Sequence, residues 1–137
     1  MIGLFKPVAI AATLCLAVSS VAAAKPPLRE VAQVDDGLFQ VAVANVIRKR
    51  CDSIDGRLFK AIGVMQDIKN HALSLGYSDA EIDAYVDSRA EKDRMIARGA
   101  ALFEARGVNP DNPDDLCRMG REEIAKKSAI GALLRAR

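Results

Sequence analysis

The chain has 137 residues, a formal net charge of +2, and basic and acidic side chains interspersed along it; a nucleic-acid footprint or a membrane-surface patch would instead cluster one sign. Half of the residues are hydrophobic, enough for one domain with a modest core. Aromatics make up only 4% and tryptophan is absent, which argues against a ring-lined platform for sugars or bases.

Residues 1–24, "MIGLFKPVAIAATLCLAVSSVAAA", place Lys6 before an apolar run from Val8 to Val18 and end on an A-x-A pattern at Ala22 and Ala24. A charged start, a short apolar segment and a small-residue site together read as a cleaved signal peptide. About 18 residues separate Lys6 from Lys25, a marginal length for a membrane span. Cys15 is preceded by "ATL" and followed by more apolar residues, which does not suit a lipidation site. The expectation is export to an oxidising compartment, the periplasm, with no stable membrane insertion after cleavage.

Residues 25–34 begin with Lys25, Pro26 and Pro27 and read as an extended N-terminal arm; residues 35–137 read as a single helical domain. The spacing predicts a first helix from Asp35 or Asp36 to about Arg50, with Leu38, Phe39, Ala42, Val43, Val46 and Ile47 on its apolar face. Arg48, Lys49 and Arg50 close it, where positive charge suits the helix dipole. A second helix is expected from a cap at Ser53 to a stop at Gly76, burying Ile54, Leu58, Ile62, Met65, Ile68, Ala72 and Leu75.

Ser78 and Glu81 form an S-x-x-E capping box, with Tyr77 and Ile82 set as a hydrophobic staple. They open a third helix predicted to run to Arg106, about 40 Å long and therefore prone to kink or protrude. Its charged middle, "DSRAEKDR", reads as solvent-exposed, with pairs such as Arg89–Asp93 and Glu91–Arg94. Asn112 before Pro113 starts a fourth helix that carries Leu116, Cys117, Ile124 and Leu133 or Leu134 to the end, with "SAIG" near Ser128 leaving open whether it is interrupted there. No segment shows strand alternation. The fold class is all-α, a bundle of about four helices.

Cys51 and Cys117 are the cysteines that remain beyond the signal peptide. In an oxidising compartment two cysteines imply one structural disulfide, joining the end of the first helix to the start of the last. Closing a loop of about 65 residues is worth about 4 kcal/mol. A redox-active pair would be expected to show C-x-x-C spacing, which is missing here; a metal-bound or free thiol is the remaining alternative. His71, the single histidine, lies four residues after Asp67, an arrangement in which the carboxylate would orient the imidazole as a general base. No nucleophile or second histidine is placed beside it by spacing, so a helix-surface histidine is the plainer reading. Asn109, Asp111, Asp114 and Asp115 supply oxygens for calcium, but the prolines at 110 and 113 and a missing glycine break the EF-hand pattern. Capping and turn formation account for them. No Gly-rich phosphate loop, G-x-S-x-G or H-E-x-x-H occurs, and no cofactor or catalytic residue is expected.

The segments "LREV", "DDGLFQVAVANVIRKRCDSI", "LGYSDAEIDAYVDS", "ARGV" and "PDDLCRMGREEIA" resemble a domain-of-unknown-function family of small exported alphaproteobacterial proteins with two cysteines. The resemblance implies a periplasmic protein and carries no catalytic residues. Such proteins resemble small frames encoded among the genes for respiratory NADH dehydrogenase, which implies an accessory or assembly role. The leading expectation is a non-enzymatic periplasmic protein that binds a protein partner. The alternatives are an accessory factor of that membrane complex and a small enzyme using His71 and Asp67.

Overall fold

The computed structural model describes residues 24–137, so the signal-peptide reading of residues 1–24 lies, but for Ala24, outside the described residues. Helix α1, Ala32–Arg50, is the spine of the fold. Its apolar residues serve two clusters at once. Val34 joins Leu28, Ile68, Ala72, Tyr77 and Ile82 in one; Phe39, Val43 and Ile47 join Ile54, Phe103, Leu116, Met119, Leu133 and Leu134 in the other. Ile47, Leu116 and Met119 are wholly buried, each worth about 1.5–3 kcal/mol of removed apolar surface.

Around α1 stand α2, Leu58–Ser74; α3, Asp79–Asp87; α4, Arg89–Ala105; and α5, Pro113–Lys126. The helical class expected from periodicity holds, and the helix count among the described residues is five because the third predicted helix is two. Ser88 leaves the helical conformation, with φ −58° and ψ 122°, and its Oγ accepts from Glu91 N at 3.3 Å to cap α4. The predicted 40 Å rod is thereby folded onto the domain.

Three boundaries differ from the sequence reading. The arm is extended only through Pro27; Leu28–Glu30 form a 3-10 turn and α1 begins at Ala32, because Leu28 and Val34 have a core to enter. Ser53 does not start a helix. Ile54–Gly56 form a strand, β1, paired antiparallel with β2, Leu134–Ala136, with Ile54 opposite Ala136 and Gly56 opposite Leu134. Three-residue strands are too short to show alternation. Correspondingly, Leu133 and Leu134 do not continue the α-helix: α5 stops at Lys126, Lys127 takes a left-handed φ of 52°, and a 3-10 turn at Gly131–Leu133 leads into β2 beside β1. Gly131 lies directly on the backbone of Glu123, where a Cβ would collide.

The fold is closed covalently. Cys51 and Cys117 form a disulfide with Cα atoms 5.1 Å apart, spanning 66 positions and tying the end of α1 to the second turn of α5.

Candidate functional site

Each singled-out residue has a definite place. Ser78 Oγ accepts from Glu81 N at 3.1 Å and Glu81 Oε2 accepts from Ser78 N at 2.7 Å, so the box caps α3 reciprocally. Lys25 adds a hydrogen bond to Glu81 at 2.9 Å. The Ser78 amide, with Lys25, holds the Glu81 carboxyl below its ordinary range. Tyr77 and Ile82 share the smaller core cluster. Cys51 is buried, with Ser53 Oγ at 3.2 Å from its sulfur. Asp67 is exposed and His71 half-buried on α2; among the described residues their side chains make no hydrogen bond or ion pair. In the acidic turn, Asn109 Oδ1 accepts from Asp111 N at 3.0 Å, Asn112 Oδ1 from Asp114 N at 3.1 Å and Asp115 Oδ2 from Asn109 N at 2.9 Å. Those carboxylate and amide oxygens are spent on the turn itself.

Two buried charge clusters escaped the sequence reading. Asp35 is not a helix cap; it is 6% exposed inside the molecule. Its carboxylate accepts from Arg94, from Arg98 Nη1 at 3.0 Å and from the Tyr85 hydroxyl. Arg98 also reaches Asp36 at 2.5 Å and stacks 4.0 Å over the Phe39 ring. Arg94 Nε donates to Glu91 at 2.8 Å, and Arg29 holds the other Glu91 oxygen. The segment read as exposed is so at Asp87, Arg89, Ala90, Lys92 and Asp93, and its Glu91–Arg94 pair forms, but Glu91 is 8% exposed and turns inward. Burial pushes Asp35 up, but the hydrogen bonds from Arg94 and Tyr85 and the charges of Arg94 and Arg98 outweigh it and leave it below its usual range. Burial, followed by the bond to Asp35, raises the Tyr85 phenol well above the ordinary value. Glu123 repeats the theme: burial raises it, yet Ser128 at 2.5 Å and Arg106 at 2.9 Å bring it below the ordinary glutamate. Every carboxylate in these clusters is matched, so their geometry locks elements together and leaves no free base.

The uncommitted chemistry lies on α2. At about 100° per residue, Ala61, Val64, Ile68 and Ala72 form one side and Leu58, Ile62, Met65 and Leu73 the adjacent side. The first side packs on α1, where Gly37 lets Ile68 approach closely. The second does not pack. Leu58 is 67% exposed, Phe59 89% and Ile62 56%. Of the expected core stripe, Ile54, Ile68 and Ala72 are buried, Ile54 from β1, whereas Leu58, Ile62, Met65 and Leu75 are not.

Beside this stripe, α1, α2 and the β1–β2 pair enclose a groove of about 750 Å³, with Leu38, Val41, Met65 and Leu134 among its apolar walls. A smaller pocket of about 330 Å³ shares its Arg57, Leu58 and Arg135 and adds Phe59 and Lys60. Cations dominate the rim: Arg48, Arg57 and Arg135 line it together with Asp55, which Arg137 already holds at 2.8 Å. Apolar volumes with a few placed polar groups are where ligands and partners bind. The periodicity of α2 carried a signal for this site, because its apolar arc covers more of the helix than one neighbour can bury.

Among the described residues no helix is long and apolar enough to cross a membrane. A family model described as a family of unknown function, DUF5333, matches residues 26–135. No curated protein matches the chain, and no solved structure does.

Proposed function

The chain belongs to a family of unknown function, DUF5333, and on that premise we propose that it is a non-enzymatic binding protein, exported to the periplasm, that docks a protein partner on the α2 face. The observation that carries this reading is the run of Leu58, Phe59 and Ile62, each more than half exposed, beside an apolar groove. Scattered surface leucines are ordinary, whereas a contiguous apolar stripe continuous with a groove is the mark of an interface. The export component is supported by the signal-like residues 1–24 and by a disulfide that suits an oxidising compartment. Free thiols at both Cys51 and Cys117 in protein isolated from cells would overturn it.

The docking component is tested by a photo-crosslinking residue at position 59 of the full chain in cells, with one at exposed Arg121 on α5 as control. Adducts from position 59 and none from 121 are expected; recovery as an uncrosslinked monomer at both would refute the reading. The finer proposal, an accessory role at the respiratory NADH dehydrogenase, rests on the resemblance in sequence. It requires the adduct in membrane fractions and is refuted by recovery in the soluble periplasm alone. The enzyme alternative centred on His71 and Asp67 is not carried forward, as neither side chain makes a polar contact among the described residues.

A further inference from the structure

The α2 docking face has a charge as well as a shape, and on the docking reading above we propose that its occupant is an acidic, amphipathic helix of a partner protein. The exposed stripe from Leu58 to Leu73, interrupted by Lys69, whose charge Asp79 matches at 2.6 Å, is about 22 Å long, roughly four helical turns. A helix laid in a groove meets it with anchors at three- and four-residue steps over that length. The groove is concave between α1 and the β1–β2 pair, so side chains of a helix can enter where a flat bilayer cannot.

Arg48, Arg57 and Lys60 line this mouth and form no ion pair among the described residues. Asp55, the carboxylate beside them, is bound by Arg137 at 2.8 Å and Arg135 at 3.7 Å. Asp67 points away, about 140° around α2 from the centre of the stripe. The face therefore presents uncompensated positive charge around an apolar centre, which selects an acidic partner and repels a basic one. A second copy would bring the same cationic face against itself, since a two-fold interface uses one patch twice.

The test uses the full chain with the photo-crosslinker at position 59, in wild type and three variants. Arg48→Glu with Arg57→Glu is expected to cut adduct yield about tenfold or more. Arg48→Lys with Arg57→Lys keeps the charge and is expected to keep the yield. Ile62→Asp is expected to abolish it. Mass spectrometry of the adduct should map to a net-acidic segment with apolar residues at three- and four-residue spacing. Independently of any variant, adduct formation by purified wild-type chain in cell extract should fall as NaCl rises from about 50 to about 500 mM. Loss with Ile62→Asp but full yield after charge reversal and in high salt overturns the acidic helix and leaves the docking face standing. An adduct to a second copy, to lipid or to a basic segment overturns it as well. Absence of any adduct from the wild-type chain defeats both.

Discussion

Asp35 shows how one residue can satisfy a local rule and still be used otherwise. An aspartate before an apolar helical run is a sound cap, yet α1 starts three residues earlier and Asp35 faces inward to Arg94, Arg98 and Tyr85. Removing one partner from such a cluster strands the other charges. Arg94→Met is therefore expected to cost about 2–3 kcal/mol in chemical denaturation, less than a fully buried pair because the Arg94 side chain is 31% exposed. The pH dependence has a definite sign. Asp35 and Glu123 have lowered folded pKa values, so their stabilisation is present above the ordinary carboxylate range and is lost as pH falls through and below it. Tyr85 is raised, so its contribution is present below the usual tyrosine value of about 10 and is lost as pH climbs past it. Tm against pH should show a plateau near neutrality with losses on both sides, and Arg94→Met should flatten the acid limb.

At the scale of elements, the break at Ser88 and the outward side of α2 separate what periodicity can say from what it cannot. Ser88 and Glu91 repeat the S-x-x-E spacing of Ser78 and Glu81, so the restart of α4 had a signal that the charged run around it concealed. Ser88→Ala removes the hydroxyl that accepts from Glu91 N and should cost about 1 kcal/mol, seen as a lower urea midpoint with an unchanged m-value. For α2 the sequence reading and the structure predict opposite outcomes. Were Ile62 in the core, truncation to serine would cost several kcal/mol. With Ile62 56% exposed, Ile62→Ser should change stability by less than about 0.5 kcal/mol while abolishing the crosslink. Gly131→Ala places a methyl against the Glu123 backbone, which no side-chain rotation relieves, and should cost about 2–3 kcal/mol in the same assay.

Over the whole molecule, the disulfide and the β1–β2 pair do the same work at one junction: they hold the chain after α1 against α5 and against the segment that follows it. The bond spans 66 positions, for which loop entropy gives about 4 kcal/mol. Cys51→Ala with Cys117→Ala is expected to lower Tm by roughly 15–20 °C in calorimetry, at the stabilisation per degree usual for a domain of this size. A loss of only a degree or two would mean that the reduced chain already keeps these ends together.

The sequence by itself determined the helical class, the capping box at Ser78 and Glu81, the turn at Asn112–Pro113 and the pairing of Cys51 with Cys117. Each of these rests on interactions between residues close in the chain, or on counting to two. The tertiary structure alone decided which side of α2 is covered, that Asp35 and Glu91 are internal, and that Ile54–Gly56 pairs with Leu134–Ala136. Those outcomes depend on which neighbour arrives from 31 to 82 residues away, from the Gly37–Ile68 contact to the Ile54–Ala136 pair. A helix whose apolar arc exceeds half its circumference does not specify in its own residues which part will be buried. The candidate docking face exists because α1 covers only one side of such a helix and leaves Leu58, Phe59 and Ile62 in solvent.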